Sequence, residues 1–527
     1  MANRSLFATL RDLVTPPTDL VNEGGGPAYA LPPKHALAQY AATGCLNGTY
    51  YASAETQLET VLRLSGEVPA EFVAKAAVHA REVSFMKDMP ALLCAVLAAR
   101  REHALLRRVF PRVIDSGKML RNFVQILRSG VTGRKSLGTV PKALVRAWLL
   151  ARSDEQVFFA SVGERPSIAD IVKMVHPRPA TDARKALYGW LIGKDIPEDK
   201  LPTPVAAFER FKRDGGEVPD VPFEMLTALD LDTTAWTSIA RRAGWTLTRM
   251  SLGTFARHGV FGVDGMTGVI AARLRDAGAI ERARAFPYQL LAAHANAGAV
   301  PDEVKLALQD ALEIATRNVP EITGRVFVFP DVSGSMLSPA TGHRRGSTTA
   351  VRCVDVAALF AAAILRRNPS ARVIPFAEDV VDVPINPRDS VMTNAERLAA
   401  VGGGGTNCSA PLALLNRERA KGDLCVYVSD NQSWVDAGTA AAGSATLRQW
   451  NAFLQRNPRA KLVCIDVAPY GHTQAAERDD ILNVGGFSDG VFEVVSRFAR
   501  DGLEAGHWVG VIEEVKLEDR DANTGSG

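Results

Sequence analysis

The chain has 527 residues, of which 47% are apolar and 23% charged, ordinary globular values that exclude wholesale disorder. That length predicts about two to four domains. A formal net charge of +3 is uninformative about partners until it is divided along the chain.

The opening MANRSLFATLRDLV lacks the unbroken apolar core and small-residue cleavage site of a signal peptide. No run of about 18 apolar residues occurs without a charge, so a membrane span is not expected. Six cysteines (Cys45, Cys94, Cys353, Cys408, Cys425, Cys464) are scattered without a CxxC pair. They read as buried thiols in a reducing cytoplasm, not as a disulfide framework or a zinc site.

From residue 36 to residue 318 apolar residues recur at three and four, as in Phe72-Ala76-His79-Ala80 and Leu120-Phe123-Val124-Leu127. Breakers are read at Gly66, Pro90, Pro111, residues 130–133, Pro166, residues 177–179 and Gly215-Gly216. Many short helices with scarce strand-like alternation predict a helical solenoid, each pair burying its apolar stripe against the next. Residues 1–320 carry 40 Lys/Arg against 33 Asp/Glu, a balance of +7, and the remaining 21 against 25 give −4. Within the first part, residues 101–150 hold 11 basic and two acidic residues. Lys118, Arg121 and Arg128 flank an apolar helix stripe, and Arg134 and Lys135 sit in a glycine-bounded loop. With Lys142 and Arg146 they make candidate phosphate contacts, and helix N-termini near Gly133 and Pro141 would add backbone donors. The competing reading is a set of solvated helix faces. His79, on an apolar face, reads as a core residue. His176, beside Lys173 and just before Pro177, is within reach of a nucleic acid. Aromatic residues, at 7%, are too few to assign a base-stacking platform.

Near Ile322 the pattern changes. Apolar β-rich runs at residues 325–330, 371–376, 424–428 and 461–467 alternate with helices at 351–367, 410–420 and 446–457. This alternation predicts a doubly wound, mostly parallel sheet, whose ligand site lies beyond the carboxyl ends of its strands. Asp331-Val-Ser333-Gly-Ser335 directly follows the first strand, Thr406 ends the run Gly402-Gly-Gly-Gly405, and Asp430 follows the strand at 424–428. Two carboxylates and three hydroxyls, all oxygen, suit a hard divalent ion such as Mg²⁺ with one position open to an acidic group of a partner. The pattern resembles the metal-ion-dependent adhesion site of von Willebrand factor A domains. The plainer reading is a vestigial loop whose Asp and Ser cap helices and form turns. Hydrolysis is disfavoured, because two-metal nucleases use more carboxylates and no GxxxxGK[ST] frame is present.

Gly48-Thr49-Tyr50-Tyr51, Gly133-Arg134-Lys135 through Trp148, Asp331–Met336, residues 404–409, Ser429-Asp430-Asn431, and Asp479-Asp480 through Gly485-Gly486-Phe487 together resemble the Ro ribonucleoprotein, or TROVE-domain, family. The resemblance runs from about residue 20 to residue 500. It implies a ring of HEAT-like helical repeats (1–320), a von Willebrand factor A-like domain (321–505) and a C-terminal tail (506–527), polar and frayed after Asp519. It further implies a monomeric, cytoplasmic, non-enzymatic RNA-binding scaffold. Y-like small RNA would lie on its basic outer surface and single-stranded 3′ ends of misfolded RNA in a central hole, with an exoribonuclease such as polynucleotide phosphorylase as partner. By that resemblance Asp331, Ser333, Ser335, Thr406 and Asp430 hold the metal. Lys118, Arg121, Arg128, Arg134, Lys135, Lys142, Arg146, Lys173 and His176 are expected at RNA. The family's animal pattern has two histidines aligned to Ser167–His176; here the first falls on Ile168 and the second on His176. The alternative function is a metal-dependent protein-adhesion module built on the A domain.

Overall fold

A computed structural model describes residues 16–43, 52–283, 285, 287–317, 319–340, 351–434, 443–468, 470–486, 489–500 and 507–518. By compactness these fall into two units, residues 68–270 with 515–527, and residues 1–67 with 271–514.

The unit of residues 68–270 is helical among its described residues. Gly117–Ser129 shows why. Its apolar spacing buries Met119, Leu120, Phe123, Val124 and Leu127 on one stripe. Ser116 caps the start by accepting from the Met119 amide, and Gly130 ends the helix at φ +90°. Packing runs to near neighbours in sequence. Ala70–Glu82 lies on Asp88–Ala99 and His103–Val113, Asp88–Ala99 on Gly117–Ser129, and His103–Val113 on Thr139–Leu150. Gly117–Ser129 continues to Asp154–Ala160 and Ile168–Val175. This is the nearest-neighbour stacking of a helical solenoid, as the periodicity predicts.

Three expected breakers lie inside helices instead. Pro90 is the third residue of Asp88–Ala99, in the first turn, where an amide has no intrahelical acceptor to lose. Pro111 sits near the end of His103–Val113, a helix held by the burial of Leu106, Val109, Phe110 and Val113. Gly66 lies in the last turn of Ala54–Glu67.

In the other unit, the strands in chain order are β1 (Leu20–Val21), β2 (Pro27–Ala30), β3 (Val326–Pro330), β4 (Arg372–Val373), β5 (Leu424–Ser429), β6 (Lys461–Asp466), β7 (His472–Thr473) and β8 (Ile481–Gly485). The main sheet has the order β4-β3-β5-β6-β8 and is parallel throughout. Its central strands β3 and β5 are buried along their whole length, as expected where helices cover both faces. From β3 the chain passes through helix Cys353–Arg367 to β4 on one side, then returns to place β5 on the other. The direction of winding therefore reverses between β3 and β5, and the crevice beyond their carboxyl ends is the sheet's natural ligand site. β4 is shorter than the expected run 371–376. Beyond Val373 the pairing with β3 continues irregularly, through Ile374 N to Val328 O (2.8 Å) and Phe376 N to Pro330 O (3.2 Å).

Elements not anticipated complete this unit. β8 adds a fifth strand, and β1-β2-β7 form a small antiparallel sheet. Helix Pro33–Thr43 packs on β8, so the segment before residue 67 belongs with the α/β unit and not with the helical stretch 1–320. Pro287–Ala295 and Asp302–Thr316 likewise pack on Cys353–Arg367. Residues 507–513 form a helix on β8 with Trp508 buried, because an apolar face is available there; residues 519–527 and the segment 48–51 lie outside the described residues. Among the described residues the five cysteines are buried, and no helix is long and apolar enough to cross a membrane.

Candidate metal crevice and nucleic-acid face

β3 hands directly into Asp331, whose amide still pairs with the Val428 carbonyl of β5 (3.0 Å). Its Oδ1 accepts from the Ser333 amide (2.9 Å) and its Oδ2 from the Ser429 hydroxyl (2.6 Å). The Ser333 and Ser335 hydroxyls are 3.4 Å apart, and Ser335 hydrogen bonds to Asp430. The glycine-rich loop is stitched to this one. Gly334 N donates to Gly404 O (2.9 Å), and Gly403 N to Val332 O (2.9 Å). Gly404 takes φ +79°, and a Cβ on Gly334 would stand 3.1 Å from the Gly404 carbonyl, so both positions favour glycine. Thr406 is tied in turn to the segment after β5, its carbonyl accepting from Trp434 N (3.3 Å). All five residues named from the sequence thus gather in one buried crevice, each no more than 6% exposed.

The electrostatics of this crevice have one sign. Burial raises the Asp331 carboxyl against the hydrogen bonds from Ser333 and Ser429. Burial and then the Asp331 charge push Asp430 up to about 7. Both shifts express the same lack, since a buried carboxylate pair without a counter-charge resists ionisation. A divalent ion supplies that charge, and the donor set of two carboxylates and three hydroxyls fits a hard cation. Among the described residues no three of His, Cys, Asp and Glu gather as a metal group, so the hydroxyls are essential to any such site.

Two neighbouring features went unnoticed in the sequence. Asp466 ends β6 as a third fully buried carboxylate beside Asp430, also pushed well up by burial. The recurring pattern of a parallel strand ending in Asp (331, 430, 466) is a signal that would have found it. The second feature is the β1–β2 hairpin, which buttresses the loop after Asp430. Asn22 Nδ2 donates to Ser433 O (2.7 Å), and Gln432 Nε2 donates to Glu23 (2.9 Å), which also meets His472.

In the helical unit the nine expected nucleic-acid residues divide. Lys118, Arg128, Lys135, Lys173 and His176 are exposed and Lys142 is half-buried. Three arginines, also half-buried, engage backbone carbonyls. Arg121 Nη1 donates to Ala160 O (3.1 Å), Arg134 to Ala98 O (2.6 Å) and Leu137 O (3.2 Å), and Arg146 twice to Val175 O (2.8 and 3.0 Å). These guanidinium groups spend part of their donors on backbone carbonyls, which fixes where they sit, and a neutral carbonyl leaves their positive charge in place. Arg112, in the same basic block, pairs with Glu82 (2.7 Å). Ile168 is fully buried, whereas His176 projects at the end of its helix from a left-handed position (φ +49°). His79 is a core residue, held neutral by burial with its pKa lowered to about 4.

Residues 325–499 match the family described as the Ro60 vWA domain. This stretch is similar to the A domain of Ro proteins. Over 94% of its length the chain is 25% identical to the RNA-binding protein RO60 of Deinococcus radiodurans, 99% of which is covered. The crystal structure of the Deinococcus radiodurans RO (RSR) protein aligns over 90% of this chain and all of that one, with a TM-score of 0.59 at 23% identity. The resemblance to Ro proteins therefore extends through the helical unit, and the architecture of helical repeats plus an A domain is shared. Within this A domain, Asp331 and Asp430 stand at the two strand ends that flank the reversal of winding.

Proposed function

We propose that the protein is an RNA-binding scaffold of a small ribonucleoprotein. The observation that carries this reading is the set of five cations, Lys118, Arg128, Lys135, Lys142 and Lys173, which together with the exposed His176 imidazole reach the surface of the helical unit without an ion pair among the described residues. Such side chains keep their hydration until a polyanion arrives, and then release its counterions. The similarity to a protein named for RNA binding supports the same assignment. On this reading Y-like small RNA lies along the basic face, and single-stranded 3′ ends of misfolded RNA are held where the Ro resemblance puts a central hole. The protein works as a cytoplasmic monomer and presents RNA to an exoribonuclease such as polynucleotide phosphorylase. It makes no cut itself.

Asp331, Ser333, Ser335, Thr406 and Asp430 would hold a divalent ion, Mg²⁺ by their chemistry. When bound, the ion supplies an electrophilic open position to an acidic partner group. A second reading, adhesion to a partner protein through the A domain, is favoured by one observation. Leu337 and Trp434, on two of the loops that build the crevice, expose 39% and 43% of their surface.

Filter binding of a stem RNA with a 3′ tail tests the scaffold. Wild-type protein is expected to bind, and the triple change of Lys118, Lys142 and Lys173 to Glu to lose most of the affinity. Absence of binding by wild type would refute the reading. EDTA and Asp331→Ala are expected to leave RNA affinity intact while abolishing capture of any protein partner held through the metal.

A further inference from the structure

The segment Asn431 to Trp434, directly after Asp430, runs from one side of the crevice to the other. At its start Gln432 N donates to the Asp430 carboxylate (3.3 Å). At its end Trp434 N donates to Thr406 O (3.3 Å), and Cys408 N donates to the Ser433 hydroxyl (3.3 Å). The place of this segment therefore sets how far Asp430 stands from Thr406. Its backbone starts from an unfavourable conformation. Asn431 lies at φ +58°, a left-handed position that a residue with a side chain keeps only where its surroundings hold it.

Those surroundings come from distant parts of the chain. Gln474 Nε2 donates to Asn431 O (2.7 Å). The tip of the β1–β2 hairpin meets the rest of the segment. Asn22 works there in two directions. Its Oδ1 accepts from Gly26 N (2.8 Å), which closes the hairpin, and its Nδ2 donates to Ser433 O (2.7 Å). Gly24 N adds a bond to the Gln432 side chain (3.2 Å). The two backbones are in contact, since a Cβ on Gly26 would stand 2.0 Å from Ser433 O and one on Gly24 3.2 Å from Gln432 O. Asn22, Gln432 and Ser433 are all buried, so a broken bond here leaves a polar group away from water. The hairpin is anchored in turn by the pairing of β2 with β7 and by Leu31 N to Gly471 O (2.9 Å).

We infer that Asn22 is a positioning residue for the divalent ion: by holding Ser433 it keeps Asp430 and Thr406 in register, so that docking of the hairpin and uptake of the ion strengthen one another. The inference rests on the divalent-ion reading above. Asn22 is not one of the five proposed ligands, and it acts on them through the Ser433 carbonyl. A small hard ion such as Mg²⁺ tolerates little displacement of its oxygen donors, which is why the place of a neighbouring loop matters to it. The effect is reciprocal. Whatever factor the docked hairpin adds to ion affinity, the bound ion adds to the docking of the hairpin.

The test uses full-length protein and Mg²⁺ alone. Calorimetric titration of wild type is expected to report uptake of the ion. Asn22→Ala should weaken it about tenfold, the effect of removing a group that orients metal ligands from behind. Gly26→Ala, which drives a Cβ into the Ser433 carbonyl, should weaken it at least as much. Hydrogen exchange of wild type gives a readout that a purely structural role for Asn22 would not move, and it does not depend on the variants folding. Saturating Mg²⁺ is expected to slow exchange of the Gly24 and Gly26 amides about tenfold, the counterpart of the loss in affinity. In Asn22→Ala the same ion should slow them little. Unchanged Mg²⁺ affinity in folded Asn22→Ala would overturn the inference. So would hairpin amides of wild type that exchange equally fast with and without saturating Mg²⁺. If wild type takes up no Mg²⁺ at all, it is the divalent-ion reading itself that fails.

Discussion

The helical unit and the A domain hold charge in opposite ways. In the helical unit Lys118, Lys135 and Lys173 lie outside on long flexible stems, without an ion pair among the described residues, while Arg121, Arg134 and Arg146 are held in place by backbone carbonyls. In the A domain Asp331, Asp430 and Asp466 lie inside, all of one sign, and Asp331 accepts from hydroxyl and amide donors. The difference separates two kinds of ligand. Exposed cations answer a polyanion at a smaller desolvation cost than buried groups, and their attraction fades with salt. Buried carboxylates need a counter-charge of small radius that fits the crevice, and salt screens them little.

Acid should drive the two regions apart, and this is the largest effect expected. The folded-state pKa of His79 is about 4 against an unfolded value near 6.5. As pH falls from 6.5 towards 4 the unfolded chain takes up a proton that the folded chain refuses. The helical unit should therefore lose about 3 kcal/mol of stability. The raised carboxyls of the metal-free A domain have the reverse sign. Their folded forms take up protons first, so acidification from about pH 7 stabilises the domain. Hydrogen exchange followed separately in the two units at pH 7 and pH 4.5 reads both trends. Movement of both in one direction would break the contrast, and His79→Leu should abolish the loss in the helical unit.

Salt gives the next effect in size. If about five phosphates are neutralised, a slope near 0.7 per contact predicts roughly 100-fold weaker RNA binding between 50 and 200 mM salt. Mg²⁺ uptake by the A domain, followed by calorimetry, should change far less over the same range. A flat RNA titration would place the polyanion elsewhere.

Adjacent residues sharpen the contrast within one loop. Arg134→Ala removes charged hydrogen bonds to two carbonyls and should cost about 2 kcal/mol in urea unfolding, with RNA affinity lowered only as far as the fold is loosened. Lys135→Ala should change stability by less than about 0.5 kcal/mol and weaken RNA binding directly. The reverse assignment would mean that Arg134, and not Lys135, faces the RNA.

The crevice that gathers Asp331, Ser333, Ser335, Thr406 and Asp430 was legible in the text because its parts are local. A buried strand reads as an apolar run, the residue after it must stand at the sheet's edge, and alternation of strands with helices determines on which edge. The stacked helices were legible for a similar reason, since spacing of three and four reports which face is buried whatever lies against it. The partner on the far side is invisible to that periodicity. Whether Arg134 is free depends on a carbonyl 36 residues away; whether residues 20–30 serve the helices or the A domain depends on Ser433, more than 400 residues on. Lys185 and Lys194 become neighbours of Lys173 only when two helices and a returning loop pack together. The sequence by itself determined the stacked helices, four strands of the main sheet and the oxygen-bearing side chains that line the crevice. The tertiary structure alone decided which charges remain available, because a guanidinium or ammonium group is claimed by the nearest acceptor in space, and distance along the chain does not record it.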